Sequence, residues 1–252
     1  MTRSADQVTT VAALVAAGMN DCEISRQTGI PRSTIRDWRT DHRREPSDVL
    51  RPSTCPRCDG LPLSWPWYAY LLGMYLGDGC LSEGRRSVYK LRITLDRRYP
   101  DIIRECQDAI REVRGPDRAT AGIIPRQGCV EVYANWKHWP CVFPQHASGM
   151  KHLRLIKLEP WQEEIVAAEP GRLLRGLIYS DGCRITNRVK VRGVSYAYAR
   201  YQFCNTSEDI RGIFCKACDD FGVRWAQSNW NTISVSRGES VARLDEVIGP
   251  KT

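Results

Sequence analysis

Two carboxylates frame the chemistry this sequence can do. Asp78 closes the apolar run LLGMYLGDGC at residues 71–80, and Asp181 closes a second run, LLRGLIYSDGC, at residues 173–183. Side by side, two such groups repel each other, and a divalent cation between them removes the conflict. Hard oxygen ligands of this kind suit Mg²⁺, with Mn²⁺ as the alternative. Mg²⁺ keeps several waters and takes one or two carboxylates plus the phosphate oxygens of a substrate.

The residues before each aspartate indicate how the two would meet. Glycine costs a helix interior about 1 kcal/mol relative to alanine, so Gly73 and Gly77 need a purpose there. Aligning Gly73 with Gly176 also aligns Gly77 with Ser180, Asp78 with Asp181 and Cys80 with Cys183. Small residues four apart let two helices approach closely. The two runs therefore predict a parallel helix pair, related by a pseudo-dyad, with both acids at one end.

The elements that must carry this pair repeat as well. Each run is followed by a strand pair, then a helix (DIIRECQDAIREV; EDIRGIFCKACDDFGV), then a second strand pair (CVEVYAN; TISVSRG). Each copy ends on a similar tail, SGMK at Lys151 and IGPK at Lys251. The expected fold class is α+β: two αββαββα repeats, at 65–160 and 161–252, forming a saddle.

Alternation along the strands puts Lys90, Arg92 and Thr94 on one face of the first repeat, and Arg184, Arg188, Lys190 and Arg192 on one face of the second. Read in the same parity, the returning strand adds Tyr196, Tyr198, Arg200 and Gln202 to that face. No acid interrupts residues 184–207. A face so rich in cations, aromatics and amides is expected to enter the major groove of double-stranded DNA.

Composition agrees. The formal net charge is +8, with 30 Arg against 7 Lys, a bias toward the side chain that grips phosphate and guanine bidentately. Eleven cysteines without a secretory leader or a dense, short framework are expected to be reduced thiols in a cytoplasmic, nucleoid-associated protein. No apolar stretch reaches the length of a membrane span. A single chain carrying both repeats is expected to act as a monomer.

Residues 7–40 predict three helices, with breaks at Gly18 and Gly29, Asp21 capping the second and Pro31 in the first turn of the third. Ile24, Ile30, Ile35 and Trp38 would make a small core. This head, at 1–45, resembles the helix-turn-helix modules of resolvase-like and regulator-like proteins. The resemblance implies that Arg32, Ser33, Thr34 and Arg36 reach the major groove, with Arg39 also turned outward.

A Pro- and Arg-rich linker is expected at 46–64. Inside it Cys55 and Cys58, in CPRC, have the spacing of half a zinc site, to be completed by His42 or a distant thiol. Otherwise they are two free thiols in a turn. His138, His146 and His152, with Cys141 among them, are expected to pack and hydrogen-bond between the repeats. The alternative is a metal cluster that takes in Cys55 and Cys58.

Taken together, LLGMYLGDG, LLRGLIYSDG, the matching strand patterns and the lysine tails resemble the LAGLIDADG homing endonucleases in their single-chain, two-repeat form, from about Trp65 to the C-terminus. The resemblance implies a saddle seated on DNA and metal-dependent cleavage of both strands, leaving 3′ overhangs. It also implies that the carbonyls of Gly77 and Ser180 help Asp78 and Asp181 bind metal, and that Lys151 and Lys251 orient the attacking water or neutralise the phosphate. Leu76-Gly77 and Tyr179-Ser180 replace the usual apolar-Asp-Ala wording before the acid. A second class is a transcriptional regulator, since some sporulation-type regulators resemble this domain joined to a helix-turn-helix and have lost the acids. Here both acids remain.

Overall fold

The computed structural model describes residues 5–40, 55–115, 121–249 and 251. The chain divides into two units, Met1–Thr54 and Cys55–Thr252. Among the described residues no helix is long and apolar enough to cross a membrane.

The first unit holds α1 (Ala5–Ala16), α2 (Asp21–Thr28) and α3 (Arg32–Thr40). They close on Val11, Ile24, Ile30 and Ile35, with Leu14, Val15, Met19 and Trp38 packed around them. The cap of α2 is Asn20 and not Asp21. The Asn20 side chain accepts from the backbone N–H groups of Cys22 and Glu23, and the Glu23 carboxylate accepts from the Asn20 N–H, a reciprocal capping box. Asp21 pairs instead with Arg39 at 3.1 Å, and the same guanidinium donates to the Met19 carbonyl at 2.7 Å. Arg39 is thus committed to the unit itself.

The second unit runs α4 (Pro56–Asp59), α5 (Trp65–Leu76), β1 (Gly79–Glu83), β2 (Tyr89–Asp96), α6 (Pro100–Arg114), β3 (Gly122–Pro125), β4 (Cys129–Trp136) and α7 (Trp139–Val142). It continues with α8 (Pro160–Ala168), α9 (Pro170–Asp181), β5 (Gly182–Val191), β6 (Val194–Cys204), α10 (Glu208–Asp220), β7 (Ala226–Asn229), β8 (Thr232–Val235) and α11 (Gly238–Ile248). Proline in the first turn starts several of these helices, where its missing N–H costs nothing. The linker read at 46–64 ends earlier than its composition suggests. Cys55 is fully buried and Leu63 packs on the same core, so Cys55 to Ser64 belongs to the second unit.

Two four-stranded antiparallel sheets share one topology, β1-β2-β4-β3 and β5-β6-β8-β7. The fold is therefore the expected α+β tandem repeat. In the first sheet Leu91, Ile93 and Leu95 of β2 and Val132 and Ala134 of β4 lie on one buried face. In the second, Tyr201, Phe203, Ile233 and Val235 do the same.

The two halves are joined by α5 packed on α9. A Cβ added at Gly73 would stand 2.6 Å from the Leu173 carbonyl oxygen, and one added at Gly176 would collide with the Tyr70 carbonyl oxygen. At Gly77 it would stand 2.5 Å from the Ser180 Cβ. These glycines are the helix contact itself: the backbones meet with no side chain between them where Gly73 faces Gly176, and with only the serine side chain between them where Gly77 faces Ser180.

Candidate metal and nucleic-acid site

The seam brings both acids to one end of the helix pair. Asp78 follows the last turn of α5, and Asp181 is the last residue of α9. A Cβ on Gly77 would lie 3.0 Å from Asp181 Oδ2, which sets the second acid against the chain that carries the first. Burial and then the charge of Asp181 push Asp78 up to about 6, against the opposing pull of Lys151 and Lys251. Burial also raises Asp181, but there a hydrogen bond from Asn205 and the same two lysines hold it back. Asn205 Nδ2 donates to Asp181 Oδ2 at 2.6 Å, while its own Oδ1 accepts from the Ser207 N–H at 2.8 Å and fixes the amide.

The two tail lysines reach the same place from opposite repeats. Lys151 Nζ donates to the carbonyls of Tyr75 at 2.5 Å, Leu76 at 2.9 Å and Gly77 at 2.8 Å. Lys251 Nζ donates to the carbonyls of Tyr179 at 3.4 Å and Gly182 at 2.6 Å. Each ammonium thus caps the negative end of one seam helix. Burial lowers Lys151 to about 8 and also lowers Lys251, with both aspartates pulling the other way. The Gly77 carbonyl is held by Lys151. Ser180 Oγ donates back into its own helix, to Gly176 and Leu177, at 3.0 Å each. Two largely buried carboxylates, with one burdening the other, form an oxygen donor set whose conflict a divalent cation relieves.

The open face of the first sheet matches the sequence reading. Lys90, Arg92 and Thr94 sit opposite Asn135, Tyr133 and Glu131, away from the buried face. The Lys90 ammonium lies 4.2 Å from the Tyr133 ring centroid.

The second sheet corrects it. Val191 pairs with Val194, so the turn has two residues, Arg192 and Gly193, both at positive φ (49° and 84°), as a tight hairpin requires. Such a turn pairs even-numbered residues of β5 with odd-numbered residues of β6, and directly opposed residues share a face. Arg184, Arg188 and Lys190 therefore lie on the side of Tyr201, Ala199, Ala197 and Ser195. Arg200 and Gln202 lie on the other side with Ile185 and Cys183. Arg184 is ion-paired to Asp245 of α11 at 2.7 Å, on the helix side. Arg192 stands at the hairpin tip. The open face carries Arg200, Gln202 and the stacked rings of Tyr196 and Tyr198, whose centroids are 6.2 Å apart.

In the first unit Arg32, Ser33 and Arg36 are exposed on α3 and Thr34 is half-buried. The structure gathers Cys55, Cys58, His138 and Cys141 into one cluster. His146 instead packs edge-on against Tyr89, with ring centroids 5.5 Å apart, and His152 is exposed. His42 lies outside the described residues. Asn205 was missed by sequence reasoning, because nothing in a lone Asn after a strand marks it as the partner of an acid 24 residues away.

No protein-family model and no curated protein matches the sequence. Solved structures resemble it in fold. A variant of the homing endonuclease I-DmoI, in complex with its nicked target DNA in the presence of manganese, is 15% identical and has a TM-score of 0.47, covering 74% of this chain and 97% of that one. The LAGLIDADG meganuclease I-AabMI bound to uncleaved DNA is 14% identical, with a TM-score of 0.45, covering 73% and 84%. The N-terminal LAGLIDADG domain of DUF199/WhiA is 14% identical, with a TM-score of 0.46, covering 76% and 86%. Each is a likeness of fold alone.

Proposed function

We propose that this chain is a site-specific, divalent-metal-dependent endonuclease that cuts both strands of a long, asymmetric DNA site and works as a monomer about its internal pseudo-dyad. The observation that carries the reading is the convergence of Asp78, Asp181, Lys151 and Lys251 on one end of a glycine-lined helix pair. A protein that only bound DNA would gain nothing from two crowded carboxylates beside a phosphate backbone. Asp78 and Asp181 would hold Mg²⁺ or Mn²⁺, which supplies charge neutralisation at the scissile phosphate and a more acidic bound water. Lys151 and Lys251 set positive charge beside both acids. Arg92, Lys90, Arg200 and Gln202 read or grip the groove, and Arg32, Ser33, Thr34 and Arg36 of the first unit extend the recognised site.

One observation favours a second reading, a regulator that binds without cutting. Lys151 occupies the Gly77 carbonyl, one of the oxygens a metal would be expected to share. Selection from a random duplex library separates the two. The endonuclease enriches long, asymmetric sites in Ca²⁺ and converts the same sites to paired 3′-overhang ends in Mg²⁺. Specific sites that stay uncut in both Mg²⁺ and Mn²⁺ would establish the regulator instead.

A further inference from the structure

A second group of metal-ligating side chains lies away from the acids. Cys55, Cys58, His138 and Cys141 each offer one ligand atom, and these atoms all lie within 4.8 Å of one another. Cys58 Sγ is 3.6 Å from Cys141 Sγ and 3.5 Å from His138 Nδ1, and Cys141 Sγ is 3.7 Å from the same nitrogen. For a tetrahedral zinc with ordinary Zn–S and Zn–N bonds, the edges of the ligand tetrahedron are about 3.8 Å between sulfurs and about 3.5 Å between sulfur and nitrogen. The three observed edges fall on that pattern. They are far too long for a disulfide bond, which is about 2.05 Å.

The backbone supplies the ligands in two equivalent halves. Cys55 precedes the one-turn helix α4, which holds Cys58, and His138 precedes the one-turn helix α7, which holds Cys141. Each half is therefore a ligand, two spacers and a ligand wound through a single turn, with proline in that turn. The first half is braced by Asp59, whose carboxylate accepts from the Cys55 N–H at 2.9 Å. The second is braced by the Cys141 N–H, which donates to the His138 carbonyl at 3.0 Å, and by the Trp136 ring, 5.5 Å from the imidazole.

We propose that Cys55, Cys58, His138 and Cys141 form a structural zinc site. Four protein ligands leave no open position, so the ion holds chain to chain and takes no part in catalysis. It fastens the segment leading into α5 to the turn after β4. The chain is thus fixed ahead of α5, the helix that Asp78 follows, and the segment beyond Cys141 leads on to Lys151. The proposal does not depend on nuclease activity.

The test uses the full chain, purified in reductant without chelator. Elemental analysis is expected to give one zinc per chain, and exchange to Co²⁺ is expected to give the intense tetrahedral ligand-field bands and sulfur-to-cobalt charge transfer of a three-thiolate, one-imidazole site. Cys58→Ser or Cys141→Ser should weaken zinc binding by more than about 100-fold, beyond what outer-shell changes do. Cys204→Ser, at an exposed thiol, should leave it unchanged. Should the serine variants fail to fold, His138→Cys keeps the proposal open to refutation: it must retain one zinc and shift the cobalt spectrum to that of four thiolates. The Asp78→Asn, Asp181→Asn double variant must also keep its zinc. Substoichiometric zinc in the reduced chain, a Cys58–Cys141 disulfide in freshly isolated protein, or loss of zinc from the double aspartate variant would overturn the assignment.

Discussion

Asp78 and Asp181 occupy the same position in two copies of one fold, and their surroundings differ. Asp181 receives a hydrogen bond from Asn205, whereas among the described residues no side chain donates to the Asp78 carboxylate. The strand registers explain why. Gly79 pairs with Ile93 and Gly182 with Phe203, so the position equivalent to Asn205 in the first repeat is Leu95, a core residue. The lysines differ as well: Lys151 grips three helix-end carbonyls and Lys251 two. The hairpins differ most, with β1 and β2 spanning 5 and 8 residues against 10 and 11 in β5 and β6. Backbone topology keeps the pseudo-dyad. Side chains break it, so of the two paired acids one carries a side-chain hydrogen bond and the other is offset only by the charge of the two lysines.

The largest effect should come from the part the repeats share. Gly176→Val drives a side chain into the backbone of α5, and a loss of more than about 4 kcal/mol is expected, seen as insoluble or unfolded protein by circular dichroism. Gly77→Ser meets the Ser180 side chain most closely, with Asp181 Oδ2 next at 3.0 Å, so the exchange Gly77→Ser, Ser180→Gly should recover most of what Gly77→Ser alone loses. If the exchange is as damaging as the single change, the facing of these two positions across the seam is wrong.

The next effect separates the acids. With its folded value raised to about 6, Asp78 binds protons more tightly in the native state than in the unfolded chain, so metal-free stability falls as pH rises from about 4 to 6 and stays low above. Asp78→Asn removes that burden. It should stabilise the metal-free protein by roughly 2 to 3 kcal/mol at pH 8, with the gain vanishing below pH 4. Asp181→Asn should gain less, because Asn205 already supports that carboxylate. Urea melts at the two pH values decide it, and equal gains for the two variants would erase the distinction.

The seam, the order of elements along the chain and the placement of the acids and lysines were legible because each is written locally: small residues four apart, alternation, and two tails that end alike. The face of the second sheet was not. Its reading turned on whether the hairpin turn holds two residues or three, and the sequence around Arg192-Gly193 allows either parity until Val191 is paired with Val194. The cap of α2 fell one residue from its expected place because Asn20 and Asp21 are both good caps, and the Arg39 ion pair claims Asp21. The partners of Cys58 sit 80 and 83 residues downstream. Nothing local signals that a return from a sheet will bring them there.

A smaller effect tests the corrected face. Arg200→Ala should weaken specific DNA binding by about 1 to 3 kcal/mol. Arg184→Ala should leave affinity nearly unchanged and cost at most about 1 kcal/mol of stability, since its pair with Asp245 is well exposed to solvent. Titrations by fluorescence anisotropy would show the contrast. The reverse ranking would return Arg184 to the groove side.

The most direct test of the central claim follows each strand separately. A duplex carrying the selected site, labelled differently on its two strands, is incubated in Mg²⁺ with the parent protein, with Asp78→Asn and with Asp181→Asn. The parent is expected to cut both strands, and either single variant to lose double-strand breaks while still binding the site in Ca²⁺. Double-strand cleavage at the parent rate by the Asp78→Asn, Asp181→Asn double variant would contradict the assignment of these two carboxylates as the metal-holding pair.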